Sequence, residues 1–399
     1  MSASGVEAAA AVTELFTAAY GRPPSGIWSA PGRVNLIGEH TDYNLGFVFP
    51  LAINRRARVA VSPRGDGLLR MATSGTGEPA EIRTVDLAPG RLEGWSRYVA
   101  GVHWAFGLRG IEVPGMDVLL DSDVPVGAGL SSSAAIECAV ALAVNELSGA
   151  QLPPEELVLL CQQAENDFAG APTGILDQSA SLLCAAGHGL FLDCRSRESR
   201  LVPLDFAAED MVALVIDTKV SHAHDSGGYA DRRRDCERAA EALGVGSLRE
   251  IGLPELVLAA GQLDHQAYRR ARHVVSENAR VESVVGHLET GKPIAKLGPV
   301  LASSHESLRD DFEVSCPELD LAVEAAMAAG AAGARMTGGG FGGSALALVR
   351  AAHAERVERA VIRAFANAGF APPEVFAVAP GAGAHRDSGN PDPLQPGRS

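Results

Sequence analysis
The chain lacks any run of about 18 apolar residues that could cross a bilayer, and its first residues carry no basic segment followed by an apolar core. Neither a membrane span nor a secretory leader is therefore expected. Positive charge is in deficit: Lys and Arg number 34 against 49 Asp and Glu, for a net charge of −15. That argues against nonspecific nucleic-acid binding, which rests on neutralising phosphates with clustered Lys and Arg. The six cysteines (Cys138, Cys161, Cys184, Cys194, Cys236, Cys316) show no paired metal-ligand spacing, and at least four lie in apolar-periodic stretches. They read as buried free thiols of a reducing compartment, so a cytoplasmic protein is expected. Internal repeats are absent too.

What is abundant is apolar surface to bury. At 399 residues and 46% hydrophobic content, the chain exceeds what one core usually serves, so two domains are the expectation. Helical spacing over Val6 to Tyr20 stops at Gly21 with Pro23 beyond. Strands are expected over Phe47 to Ile53, Arg56 to Val61, Glu81 to Leu87 and Met116 to Asp121, with a helix over Ser96 to Leu108. A long Ala-rich helix runs to about Leu147, a second from Pro154 to Phe168, and Met211 to Asp217 is β-rich. Helices follow around Ala230 to Leu243, Asp264 to Leu288, Ile294 to Arg309, Glu318 to Ala329 and His353 to Ala368, with strands flanking 337 to 343 and one at Glu374 to Val378. Without a regular βαβα alternation, the class is α+β. The expected division is 1–208 and 209–385, with 386–399, rich in Gly, Pro and polar residues, as a disordered tail.

Three segments concentrate chemistry. Between Pro31 and Asn44 an arginine, two carboxylates and a histidine (Arg33, Glu39, His40, Asp42) crowd together, with glycines at 32 and 38. Such side chains suit a polyhydroxylated ligand, because Asp and Glu accept from hydroxyls and His does either. In the second, PVGAGLSSSAA from Pro125, two glycines and three serines join a strand to a helix. The first N–H groups of a helix lack internal partners and carry positive dipole character, so phosphate binds there without lysine. Serines also favour N-caps, so an ordinary capped helix is the competing reading; three in succession exceed what capping needs. The third, RMTGGGFGGSA from Arg335, has five glycines in six positions and lets a backbone approach another surface closely.

The first segment, APGRVNLIGEHTDYNLGFVFPLAI, resembles the signature of galactokinases, members of the GHMP small-molecule kinase superfamily, and the other two resemble the second and third GHMP motifs. The resemblance spans nearly the whole chain. It implies a ribosomal-protein-S5-domain-2-like first domain, a ferredoxin-like second domain, a cleft between them, and transfer of the ATP γ-phosphate to the anomeric hydroxyl of α-D-galactose, the first step of the Leloir pathway. By the same resemblance Asp177 is the catalytic base and Arg33 its cationic partner. Glu39, His40, Thr41, Asp42, Gly174 and Tyr229 form the sugar pocket; Gly127, Ala128, Gly129, Leu130, Ser131, Ser132 and Ser133 wrap the triphosphate; and Ser133 with Glu165 ligates Mg²⁺. Ser74 is expected to reach the nucleotide. Leu45 departs from the usual small or acidic residue, with no loss of chemistry expected, and the SHAHDSGG stretch before Tyr229 departs as well.

Galactose and ATP are the expected partners, with no nucleic acid or membrane, and the chain is expected to act as a monomer. A different GHMP kinase, for N-acetylgalactosamine, arabinose, mevalonate or homoserine, would share the phosphate loops but not GEHTDYN. A noncatalytic galactose and ATP sensor would show a damaged loop or a missing base, and neither is seen. Two other matches are rejected. Gly338, Gly340 and Gly343 fit a dinucleotide fingerprint but precede a strand-like SALALV, and GHLETGK from Gly286 has Pro293 where a P-loop needs a hydroxyl. His222 and His224 read as exposed loop residues rather than a metal pair.

Overall fold
The computed structural model describes residues 3–75, 77–221 and 226–388. In chain order the elements are α1 (Ala3–Tyr20), β1 (Gly26–Ile37), β2 (Phe47–Arg64), β3 (Leu68–Thr73), β4 (Ala80–Arg83), α2 (Ser96–Leu108), β5 (Gly115–Ser122), α3 (Ser132–Leu147), α4 (Pro154–Gln163), α5 (Leu176–Leu183), β6 (His188–Asp193) and β7 (Ser199–Pro203). There follow β8 (Met211–Ser221), α6 (Ser226–Leu243), α7 (Leu253–Leu258), α8 (His265–Glu289), α9 (Gly298–Ser307), α10 (Pro317–Ala328), β9 (Gly333–Thr337), β10 (Gly342–Arg350), α11 (Ala354–Ala368), β11 (Glu374–Val378) and β12 (His385–Ser388).

Among the described residues these strands make two sheets. The first runs β12-β1-β2-β5-β3-β4, with β6 also on β2 and β7 on β6; the second runs β11-β8-β10-β9. Strand periodicity explains how the second sheet serves two cores. Along β8, Ala213 and Val215 face the first core while Leu214 and Ile216 face the second, and along β10 Leu346 and Leu348 oppose Ala345, Ala347 and Val349 in the same way. Helix α8 is shared likewise: Val281, Val284, Val285 and Leu288 of its second half join the first core, and Ala271, Val274 and Val275 the second. A strand buried on both faces has no polar alternation to show, and β1 is buried along all twelve of its residues.

Several expectations change in detail. The two strands expected over 47–61 are one strand, β2, whose pairing with β1 only shifts register across residues 53–55. The expected strand 81–87 ends at Arg83 and passes into a 3-10 turn, and β3, β6, β7 and β12 were not anticipated. The helix expected over 294–309 is divided into a 3-10 turn, α9 and a π-turn over Leu308–Phe312, with Pro293 and Pro299 bounding the first break. The helix expected over 154–168 likewise widens into a π-turn at Ala164–Phe168.

The tail expected from 386 is corrected at its start. Residues 385–388 pair antiparallel with β1, and Asp387 accepts from the Ser29 hydroxyl at 2.7 Å. Polar composition there serves an edge ladder and buried hydrogen bonds rather than solvation. Residues 389–399, and His222 and His224, lie outside the described residues.

Candidate active site
Strand β1 delivers the site through an irregularity. Its pairing with β2 shifts between Pro31 and Arg33, since proline donates nothing to a ladder, and the Arg33 N–H turns instead to the Leu130 carbonyl of the phosphate loop at 3.0 Å. Gly32 permits this approach: a β-carbon there would lie 2.7 Å from the Leu130 oxygen. The Arg33 side chain then spans two elements. Its Nε donates to Asp177 Oδ1 at 2.8 Å and its Nη1 to the Gly129 carbonyl at 2.5 Å. Asp177, in the first turn of α5, accepts from the Ser131 hydroxyl on its other oxygen at 2.5 Å. Ser131 stands at the mouth of α3 in the left-handed region (φ 57°) and caps nothing; its hydroxyl serves Asp177.

One turn on, the Ser133 hydroxyl donates to Glu165 Oε1 at 2.7 Å, and Thr173 and Gln178 donate to Glu165 Oε2 at 2.8 and 2.7 Å. Glu165 is placed by the π-turn, a widening common where helices meet function. Burial raises its pKa, and the neighbouring Asp177 charge raises it further. A hydroxyl from the first turn of α3 and a carboxylate in contact with it, crowded by the second carboxylate of Asp177, are oxygen donors of the kind a hard dication with its own waters takes. The donor set fits Mg²⁺.

A cavity of about 230 Å³ opens beside Asp177, lined among others by Arg33, Asn35, Glu39, His40, Asp42, Thr173, Gly174, Tyr229, Gly338 and Gly339. Asp42 lies against Gly174, where any side chain would collide with its carboxylate. Burial, and then the Asp177 charge, push the Asp42 pKa up to about 6.

His40 has both ring nitrogens engaged. Nε2 faces the Gly339 carbonyl at 3.2 Å and must donate, so Nδ1 accepts from the Tyr43 hydroxyl at 2.8 Å. Burial holds its pKa down at about 3, and its ring packs between Tyr229 and Phe312, at 5.4 and 4.8 Å. The imidazole is therefore a neutral clamp in the cavity wall.

Glu39 is also saturated. Its Oε1 takes the Thr337 hydroxyl and the Gly338 N–H at 3.1 and 3.0 Å, and its Oε2 takes Asn35 Nδ2 at 3.0 Å and forms an ion pair with Arg335 Nη2 at 2.5 Å.

Of the expected sugar-pocket residues Thr41 does not line the cavity, and the expected nucleotide and metal residues, Ser74, Gly127 to Ser133 and Glu165, lie outside its lining as well. Thr41 is fully buried, its hydroxyl donating to the Gly38 and Phe47 carbonyls at 2.8 and 2.6 Å, so it shapes the loop from within. Ser74 follows β3 with its hydroxyl on Asp121 at 2.5 Å, outside the cavity lining. Sequence reasoning missed Asn35, Thr173, Gln178, Arg335 and Glu277. Asn35 was visible inside the signature, and Arg335 beside the glycine-rich loop; nothing local in the sequence of α8 signals Glu277.

A phosphate-binding helix mouth facing a polar cavity, roofed by a glycine-rich loop from the second sheet, defines a small-molecule kinase of the GHMP class. Family models for the GHMP kinases N terminal domain and the GHMP kinases C terminal match residues 97–185 and 290–367, and the galactokinase galactose-binding signature matches residues 14–63. A galactokinase of Streptomyces coelicolor is 53% identical over 96% of this chain and 99% of the relative; galactokinases of Mycobacterium tuberculosis (strain H37Rv) and Homo sapiens are 45% and 43% identical over 89% and 88% of the chain, covering 98% and 91% of those relatives. The crystal structure of Lactococcus lactis galactokinase complexed with galactose superposes with a TM-score of 0.89 at 32% identity, over 94% of this chain and 99% of that one. A mevalonate kinase, at 16% identity and a TM-score of 0.63 over 88% of this chain and 98% of that one, shares the fold. The chain belongs to the galactokinase family.

Proposed function
We propose that the chain transfers the γ-phosphoryl group of ATP to the anomeric hydroxyl of α-D-galactose, giving galactose 1-phosphate and ADP, the first step of Leloir galactose breakdown. The observation that carries this reading is one carboxylate, Asp177, held from one side by Arg33 of the galactose signature and from the other by Ser131 of the phosphate loop, beside a polar-lined cavity of about 230 Å³. Phosphoryl transfer needs in-line placement, charge neutralisation and an acceptor for the hydroxyl proton.

Asp177 takes the proton from the sugar hydroxyl as the new O–P bond forms and the bond to the β-phosphate oxygen breaks, releasing ADP. Arg33 orients Asp177 and, with the bare N–H groups at the start of α3, offsets charge on the transferring group. Gly127 to Ser133 cradle the triphosphate, and Ser74 serves the nucleotide end. Ser133 and Glu165 would hold Mg²⁺, which when bound neutralises phosphate charge. Asp42 accepts from a sugar hydroxyl across Gly174, while His40, Tyr229 and Glu39 fix the wall that the sugar meets.

The chain works in the cytoplasm as a monomer. The helices of the described residues include none long and apolar enough to cross a membrane. The test is coupled ADP release with galactose, N-acetylgalactosamine, glucose and arabinose. Turnover with galactose well above the others is expected; preference for another sugar, or no ADP release, overturns the reading.

A further inference from the structure
Arg335 is a fully buried arginine on β9, the edge strand of the second sheet, and its guanidinium finds its polar partners outside that sheet. Its Nη2 lies 2.5 Å from Glu39 of the signature loop and 3.7 Å from Glu277 of α8, and its Nη1 donates to the Asn35 and Leu36 carbonyls at 3.1 and 3.2 Å. Glu277 in turn accepts from the Gly38 N–H at 2.9 Å and from Ser304 of α9 at 2.7 Å. Three segments distant in sequence are thus fastened around one guanidinium: the loop that faces the sugar, the long shared helix, and the strand leading into the glycine-rich loop.

The fastening reaches the nucleotide side. Glu39, steadied by Arg335, receives the Gly338 N–H, and Gly338 lies against Gly129 of the phosphate loop, where a β-carbon would come within 2.9 Å of the Gly129 carbonyl. That same carbonyl receives Arg33 Nη1, and Ser344 donates to the adjoining Ala128 carbonyl at 2.7 Å. Neither Arg335 nor Glu277 lines the cavity, yet both hold groups that do. Glu39 and Gly338 are joined directly and packed without access to solvent, so a displacement of Glu39 by sugar moves Gly338, and with it the surface the phosphate loop rests on.

We infer that Arg335 is a positioning residue for phosphoryl transfer, acting through Glu39 and Gly338 to couple occupancy of the sugar cavity to occupancy of the phosphate loop. The inference rests on the galactose and ATP reading above and adds to it a reciprocal dependence between the two sites.

The test measures galactose binding to the full chain by calorimetry, with and without saturating MgADP, in the wild type, Arg335→Lys and Thr337→Val. Arg335→Lys keeps the charge but loses the planar fork; Thr337→Val removes one hydroxyl from Glu39 at nearly constant volume. The wild type is expected to bind galactose at least about fivefold more tightly with MgADP. In both variants that ratio falls to within about twofold of unity, and galactose KM rises about tenfold. A purely structural role would lower the melting temperature and leave the ratio intact. A wild-type ratio of one, or variants that retain the wild-type ratio, overturns the inference while galactose turnover upholds the functional reading. A wild type that neither binds nor turns over galactose overturns both. If Arg335→Lys fails to fold, Thr337→Val alone decides.

Discussion
Two ionic networks lie within one chain of contacts of each other and differ in exposure and in the number of partners each carboxylate has. Around Asp177 the carboxylate keeps 18% of its side-chain surface exposed and has two protein partners, Arg33 and Ser131. Around Arg335 nothing is open: the guanidinium is fully buried, and Glu39 and Glu277 have their acceptor positions filled by donors from several elements. Chemistry needs a carboxylate with an unused lone pair facing a cavity; positioning needs one with none. The same residue types serve opposite ends because exposure and partner count differ, which composition alone cannot express.

That contrast is broken most severely at Asp177. Asp177→Asn keeps shape and can still accept from Ser131, so folding should survive while kcat falls by about 10³-fold or more, with galactose KM changed only a few-fold. Steady-state ADP release and thermal unfolding read the two quantities separately. At the sealed network the order reverses. Arg335→Met leaves the buried Glu39 carboxylate without its cation, while Glu277 keeps Arg280 at 2.6 Å, and should cost about 3–5 kcal/mol of stability, read by chemical denaturation. A loss below about 1 kcal/mol would mean that the network contributes little to the fold.

Gly174→Ala sharpens the comparison from the cavity side. The added methyl meets the Asp42 carboxylate, and kcat/KM for galactose should fall by about 1–3 kcal/mol equivalent with little change in ATP KM.

The smallest effect is a pH dependence. Asp42 has its pKa raised by burial and by Asp177 to about 6, against 3.8 ordinarily. A raised carboxylate binds its proton more tightly when folded, so its contribution to stability is complete below the unfolded value and is lost as pH rises through about 6, on the order of 2 kcal/mol. Ligand-free wild type should lose that much relative to Asp42→Asn between about pH 4 and pH 7, by denaturant titration. Galactose binding, which needs the ionised acceptor, should strengthen over the same interval.

How much could be read beforehand follows the same division. Arg33, Asp177, Ser133, Glu165, Gly174 and Tyr229 sit in motifs whose resemblance to known kinases carried them, and the phosphate loop declares itself through glycines and serines at a strand-to-helix junction. The Arg335 network stayed hidden because its members lie up to 300 positions apart and meet only after both sheets have packed. Thr41 was legible as part of a motif but not as a residue turned inward; membership of a signature does not fix which way a hydroxyl points. The π-turns at 164–168 and 308–312 have no sequence mark either, yet one places Glu165 and the other lays Phe312 against His40. Elements buried on both faces, such as β1 and β10, gave apolar runs without alternation and so blurred boundaries rather than hid strands.

Strand β12 sets a schedule on the whole assembly. Because residues 385–388 pair beside β1, the sheet that begins near residue 26 keeps that flank open until about 360 further residues have been made. A chain cut short just before this point would hold every catalytic group and still present an adhesive margin to its neighbours, so clumping, rather than inactivity, would be the first symptom of losing those four residues.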